Sequence, residues 1–138
     1  SFRQPPAPIF LPHWYRFRRY AVLNQILEDL LSSVRGSRAV IFLDGEGESI
    51  AQAGDETVDM KFIGAWKEVH LDHIRDLAKR LRLGSVHAVL FSRDEGNELI
   101  VPVSGEYCLL LFLSTYAHVQ DAMAAVRPVV ELLKKEVE

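Results

Sequence analysis

Residues 42–51, FLDGEGESIA, set three carboxylates, Asp44, Glu46 and Glu48, at alternate positions with Gly45 and Gly47 between them. Such a stretch could hold a calcium ion, cradle a phosphate, or turn the chain between two strands. As a calcium loop it supplies the first three ligand positions. It then places Ser49 at the sixth position, where a glycine makes the sharp turn, and Asp55 at the twelfth, where a bidentate Glu belongs. As a phosphate loop it lacks the Gly-Lys-Ser/Thr of one motif and the third glycine of the other. Asp-Gly and Glu-Gly supply the positive φ angles of a tight hairpin, so 44–48 is expected to turn the chain and to hold no ion.

A nucleophile exists in Cys108, the single cysteine, with His70, His73, His87 and His118 as candidate bases. Cys108 sits in EYCLLLFLS, however, and a thiol in apolar surroundings is inert. His70 and His73, three apart, could share a metal, but Asp72 or Asp76 would join them only with awkward geometry, and two imidazoles are too few for a structural zinc site. The expectation is therefore a protein that is not an enzyme and carries no cofactor and no metal.

Cationic chemistry is concentrated at the start of the chain. HWYRFRRY (13–20) interleaves Trp14, Tyr15, Phe17 and Tyr20 with Arg16, Arg18 and Arg19, as stacking and phosphate-binding surfaces do. Residues 1–20 carry four arginines and no acid, whereas the remainder has 12 basic and 19 acidic residues, so +4 faces −7 within a net charge of −3. Arg16, Arg18 and Arg19 are candidates for an anionic partner, a membrane surface included. The acidic remainder argues against DNA or other nucleic acid as the main one. The competing reading packs Trp14 and Phe17 on the domain as an extension of the first helix.

Positioning these residues takes one domain. A chain of 138 residues that is 49% apolar and 25% charged builds a single hydrophobic core. Its longest apolar run, Tyr107 to Leu113, is far below the ~20 residues that cross a bilayer. One cysteine and no visible secretory signal suit a reducing cytoplasm.

The proline-rich start, SFRQPPAPIFLP, reads as extended, with Pro12 able to occupy the first position of a helix. Leu23, Ile26, Leu27, Leu30, Leu31 and Val34 follow helical spacing, and Gly36 ends that helix. Strands are expected at 38–43 and 48–53, on either side of the hairpin, and at 86–92, 98–104 and 106–114. The last is apolar on both alternating faces and so needs cover on both sides of its sheet. Pro102 must fall at a strand end, bulge or unpaired position. A final helix over about 117–136 carries Val119, Met123, Val126, Val130, Leu133 and Val137, with Pro128 inside it and Lys134-Lys135 suiting its C-terminal end.

The longest periodic segment, 57–82, has two apolar stripes. Ile63, Trp66, His70, Ile74, Leu77 and Leu81 form one; Val58, Phe62, Ala65 and Val69 form another, about a hundred degrees away on the helix. One stripe suffices to cover a sheet. The second calls for either a second copy of the same helix or deeper burial in its own domain.

Helix, two strands, long helix, three strands, helix: this order, with Asp44, Glu46, Gly47 and the following Ile50-Ala51 in the hairpin, resembles the roadblock/dynein light-chain family. That family carries a short Asp-rich turn with glycine and then an apolar-Ala pair between its first two strands. The resemblance spans residues 21–137 and leaves residues 1–20 as a basic, Pro- and aromatic-rich arm; Pro102 and Pro128 depart from the family's pattern. It implies an α/β sandwich on a five-stranded antiparallel sheet of order 2-1-5-4-3, with the first and last helices on one face and the long middle helix on the other. It implies a homodimer paired through the middle helix and third strand, with Val58, Phe62, Ala65, Trp66, Val69, His73, His87, Val89 and Phe91 at the interface. It further implies a non-enzymatic regulator or scaffold for a small Ras-like GTPase, as in bacterial polarity and gliding systems, or an adaptor subunit of a larger complex.

Overall fold

The computed structural model describes residues 13–55 and 71–138, with side chains from residue 18 onward. The chain enters as helix α1, His13–Ser33. Pro12, expected at the first position of this helix, lies outside the described residues. α1 runs unbroken through the 20/21 boundary between arm and domain, and residues 13–20 form one continuous helix with residues 21–33. Leu23, Leu27 and Leu30 are buried along one side of it, and Val34 is buried just beyond its end. Gly36, at φ +86°, then turns the chain, with Ala117 packed so close that a Cβ there would lie 2.9 Å from the Ala117 methyl.

Strands β1 (Ser37–Leu43) and β2 (Ser49–Gly54) form the expected hairpin. Residues 71–80 are the described part of helix α2, and residues 81–82, expected to continue it, form a turn; residues 57–70, with the whole second stripe, lie outside the described residues. Then come β3 (Val89–Arg93), β4 (Gly96–Pro102), β5 (Cys108–Leu113) and helix α3 (Val119–Val137). All pairings are antiparallel and the sheet order is β2-β1-β5-β4-β3. Pro102 is the last residue of β4, where its missing donor ends the ladder.

All six residues of β5 are buried. Leu109, Leu111 and Leu113 point into a core with Val40, Phe42, Leu99 and the apolar sides of α1 and α3. Cys108, Leu110 and Phe112 point the other way, into a second core with Ala39, Ile41, Leu43, Ile100 and Leu71 of α2. The molecule is thus a three-layer sandwich, α1 and α3 on one face and α2 on the other, as the two-sided apolar pattern of β5 requires.

Candidate interaction surface

In the hairpin 44–48 the carboxylate of Asp44 is engaged by the backbone. Its Oδ1 accepts from the N–H groups of Glu46, at 2.9 Å, and Glu48, at 3.0 Å. The Asp44 N–H donates to the Glu48 carbonyl at 3.0 Å, and Gly47 takes the left-handed conformation at φ +81°. This is an Asx-capped turn: the acid that would lead a calcium loop instead closes the backbone on itself. Gly45 is favoured by proximity, since a Cβ there would lie 2.7 Å from the Cβ of Glu106 in the β4–β5 turn.

Cys108 is fully buried in the second core, so no solute reaches its sulfur. His73, His87 and His118 are exposed, and His70 lies outside the described residues. Among the described residues no three His, Cys, Asp or Glu side chains gather in a way that could hold a metal ion.

The basic segment is divided by the fold. Arg18 is exposed, whereas Arg19 is half-buried and donates from its guanidinium to the backbone carbonyl of Glu136, in the last turn of α3. A cation at a helix C-terminus meets orphan carbonyls and the negative end of the dipole. Arg19 therefore clamps α1 to α3. The side chain of Arg16 lies outside the described ones.

At the far side of the sheet, β3 is an edge strand whose partner among the described residues is β4. Val89 and Phe91 are half-buried on its α2 side, packed against the second core with Val86. Beside Phe91, across the ladder, Glu98 is 7% exposed and paired with the more exposed Arg93. The described turns of α2 are phased differently from the expected stripe. Leu71 and Ala78 are buried and Ile74 is half-buried, but Leu77 is 56% exposed and Leu81 59%, with Leu83 just beyond at 72%. The correction has two causes: on a helix of 3.6 residues per turn, Leu71, Ile74 and Ala78 share a face with Leu77 on its flank, and Leu81 follows the last helical residue, Arg80, in the turn that ends the helix. The exposed Leu77, Leu81 and Leu83 thus form an apolar run in sequence from the last turn of α2 toward β3, with His73 exposed on the same helix. Of the expected interface residues, Val89 and Phe91 lie on the edge strand; Val58, Phe62, Ala65, Trp66 and Val69 lie outside the described residues.

His87, also expected at the interface, helps line a groove of about 610 Å³ between the approach to β3, the end of β4 and one side of α3. Sequence reasoning missed this groove. The signal was present in α3, where Met123 and Val130 extend the apolar stripe beyond the fully buried Ala122, Val126, Val129 and Leu133.

No family model matches the sequence, and no curated protein matches it. Solved structures do match the fold. A roadblock/LC7 domain from Streptomyces avermitilis is 14% identical, with a TM-score of 0.75 over 81% of this chain and 94% of that one. A structure of MglB with a tetrameric arrangement gives 14% identity and 0.78 over 97% of each chain. The gliding protein MglB from Thermus thermophilus gives 14% and 0.76 over 97% of this chain and 98% of that one.

Proposed function

This protein carries the roadblock/LC7 fold, and on that premise we propose that it is a homodimeric, non-enzymatic regulator or scaffold that binds a small Ras-like GTPase in a bacterial cytoplasm. The observation that carries the reading is that β3 is the outermost strand of the sheet among the described residues, in a chain that also leaves Leu77, Leu81 and Leu83 exposed from the last turn of α2 toward that strand in sequence. An edge strand with unpaired backbone groups templates pairing with another chain, and exposed apolar side chains mark an interaction surface. A two-fold axis beside β3 would continue the sheet into a second copy and cover the exposed leucines, because an isologous interface presents the same patch from both sides. The neighbours support the reading in kind: one is described as a gliding protein and another is arranged as a tetramer, and the roadblock resemblance implies a GTPase partner.

The test uses the full chain and a small Ras-like GTPase from the same genome, loaded in turn with GDP and with a non-hydrolysable GTP analogue. Calorimetry should show binding that differs between the two nucleotide states, and light scattering should give the mass of two protein chains in the complex. Equal or absent binding for every such GTPase of that genome would leave the fold without this function.

A further inference from the structure

Strands repeat about every 4.8 Å across a sheet and packed helices about every 10 Å, so two helices cover about four strands. α1 takes β2 and β1 and packs against α3, whose far side meets the end of β4. Among the described residues the fifth strand is left over on this face. Leu90 of β3, paired with Leu99 in the ladder and so on this same face, is accordingly 43% exposed. The sheet also opens here. The β3–β4 ladder stops at the pair Val89 and Ile100, and continuing it would set His87 opposite Pro102, which has no N–H to give. The chain at 86–88 departs from β4, and the groove of about 610 Å³ lies in the gap, floored by Val101 and Val103.

We propose that this groove takes an amphipathic helix from a partner polypeptide, apolar along one side and carrying carboxylates at two positions a heptad apart. The missing third helix of the layer sets the shape of the occupant. The groove lies on the face of the sheet, where backbone groups are already paired within the ladder, so a ligand is held by side chains, as in helix-in-groove recognition rather than strand addition. The apolar side of the occupant would pack on Met123, Val126 and Val130 of α3 and on Val101. Two cations and one acid, Arg127, Lys134 and Glu131, set its charge at a net +1. Arg127 and Lys134 are seven residues apart on α3, two turns or about 10.5 Å. Among the described residues Arg127 has no ion pair, and Lys134 makes a single contact of 3.5 Å with Glu131, both partners lying on the groove's rim. An exposed pair of that length contributes little, so Lys134 can turn to an incoming carboxylate. The chain as a whole is acidic at −3, which makes this basic pair a local device that selects acidic partners. The proposal is independent of the dimer and of the GTPase.

The probe is a fluorescein-labelled amphipathic peptide of about 18 residues, roughly five helical turns, with leucines along one side and glutamates seven apart; its control has lysines in place of the glutamates. Fluorescence anisotropy on the full chain should show saturable binding of the glutamate peptide, with the lysine peptide weaker by roughly tenfold or more. The double variant Arg127→Glu/Lys134→Glu, with Arg127 exposed and Lys134 half-buried at the rim, should reverse that preference while its circular-dichroism melt stays close to that of the parent. In the parent, the methyl resonance of Met123 should shift on titration with the glutamate peptide. The proposal is overturned if neither peptide binds, if both bind alike, if the double variant keeps the parent's preference, or if the Met123 methyl does not move.

Discussion

Asp44 shows how a side chain with several available chemistries is committed by its nearest backbone. Two N–H groups at 2.9 and 3.0 Å occupy the same carboxylate oxygen, and hydrogen bonds to a charged acceptor contribute about 1.5–3 kcal/mol when sheltered and less at a half-exposed turn. Asp44→Ala should therefore lower stability by about 1 kcal/mol in urea denaturation. Adding calcium or EDTA should leave the melting temperature of the parent in place; a rise of several degrees with calcium would demonstrate an ion bound to the native state. Gly54 is a sharper case. At φ +96° it stands where a Cβ would lie 2.3 Å from the Arg38 carbonyl, so Gly54→Ala should cost roughly 1–3 kcal/mol from backbone strain, with the clash adding to it. A loss below about 0.5 kcal/mol, within the scatter of surface changes, would show that β2 slides away freely. The turn at Asp44 was legible in sequence because its partners are two and four residues away. The clamp from Arg19 to Glu136 was not, since its acceptor is a backbone carbonyl 117 positions distant, and every residue type carries one.

Elements repeat the lesson at longer range. The strand β5 was legible as doubly covered because alternation exposes both faces of a strand to inspection: Leu109, Leu111 and Leu113 on one side, Cys108, Leu110 and Phe112 on the other. Leu110→Ala and Leu111→Ala should each cost about 2–5 kcal/mol, as fully buried leucines do. Losses under about 1 kcal/mol at both would contradict burial on either face. In α3 the helix passes through Pro128, an exposed position whose ring removes a hydrogen bond and crowds the preceding turn. Pro128→Ala should raise stability by up to about 3 kcal/mol, read as a shift of the denaturation midpoint with unchanged slope; no gain would mean that the preceding turn has already adapted to the ring. For α2, by contrast, the period was readable and the phase was not. An apolar stripe says that a face exists, and the exposed Leu77 beside the buried Leu71 and Ala78 shows that packing chose the neighbouring one.

For the whole molecule the decisive question is what covers the β3 edge. Leu77→Glu/Leu81→Glu alters exposed positions, so the chain should fold with its melt nearly unchanged, while two like charges brought together at a two-fold interface should oppose association. Light scattering at about 50 µM should report a dimer for the parent and a monomer for the variant. A monomeric parent at that concentration would end the homodimer reading and favour a different subunit on that edge. Sequence alone determined the order of elements, the hairpin and the two-faced strand, because capping, turn chemistry and periodicity act among residues within a few positions of one another. The resemblance to roadblock domains supplied the strand order, which the pairing of β1 with β5 and β5 with β4 bears out. Only the tertiary structure decided that Arg19 holds α3, that Leu77 of α2 faces outward, and that a groove opens beside Pro102. Each of these depends on the distance between parts of the chain brought together by folding, and two helices covering five strands leave a margin that no local pattern records.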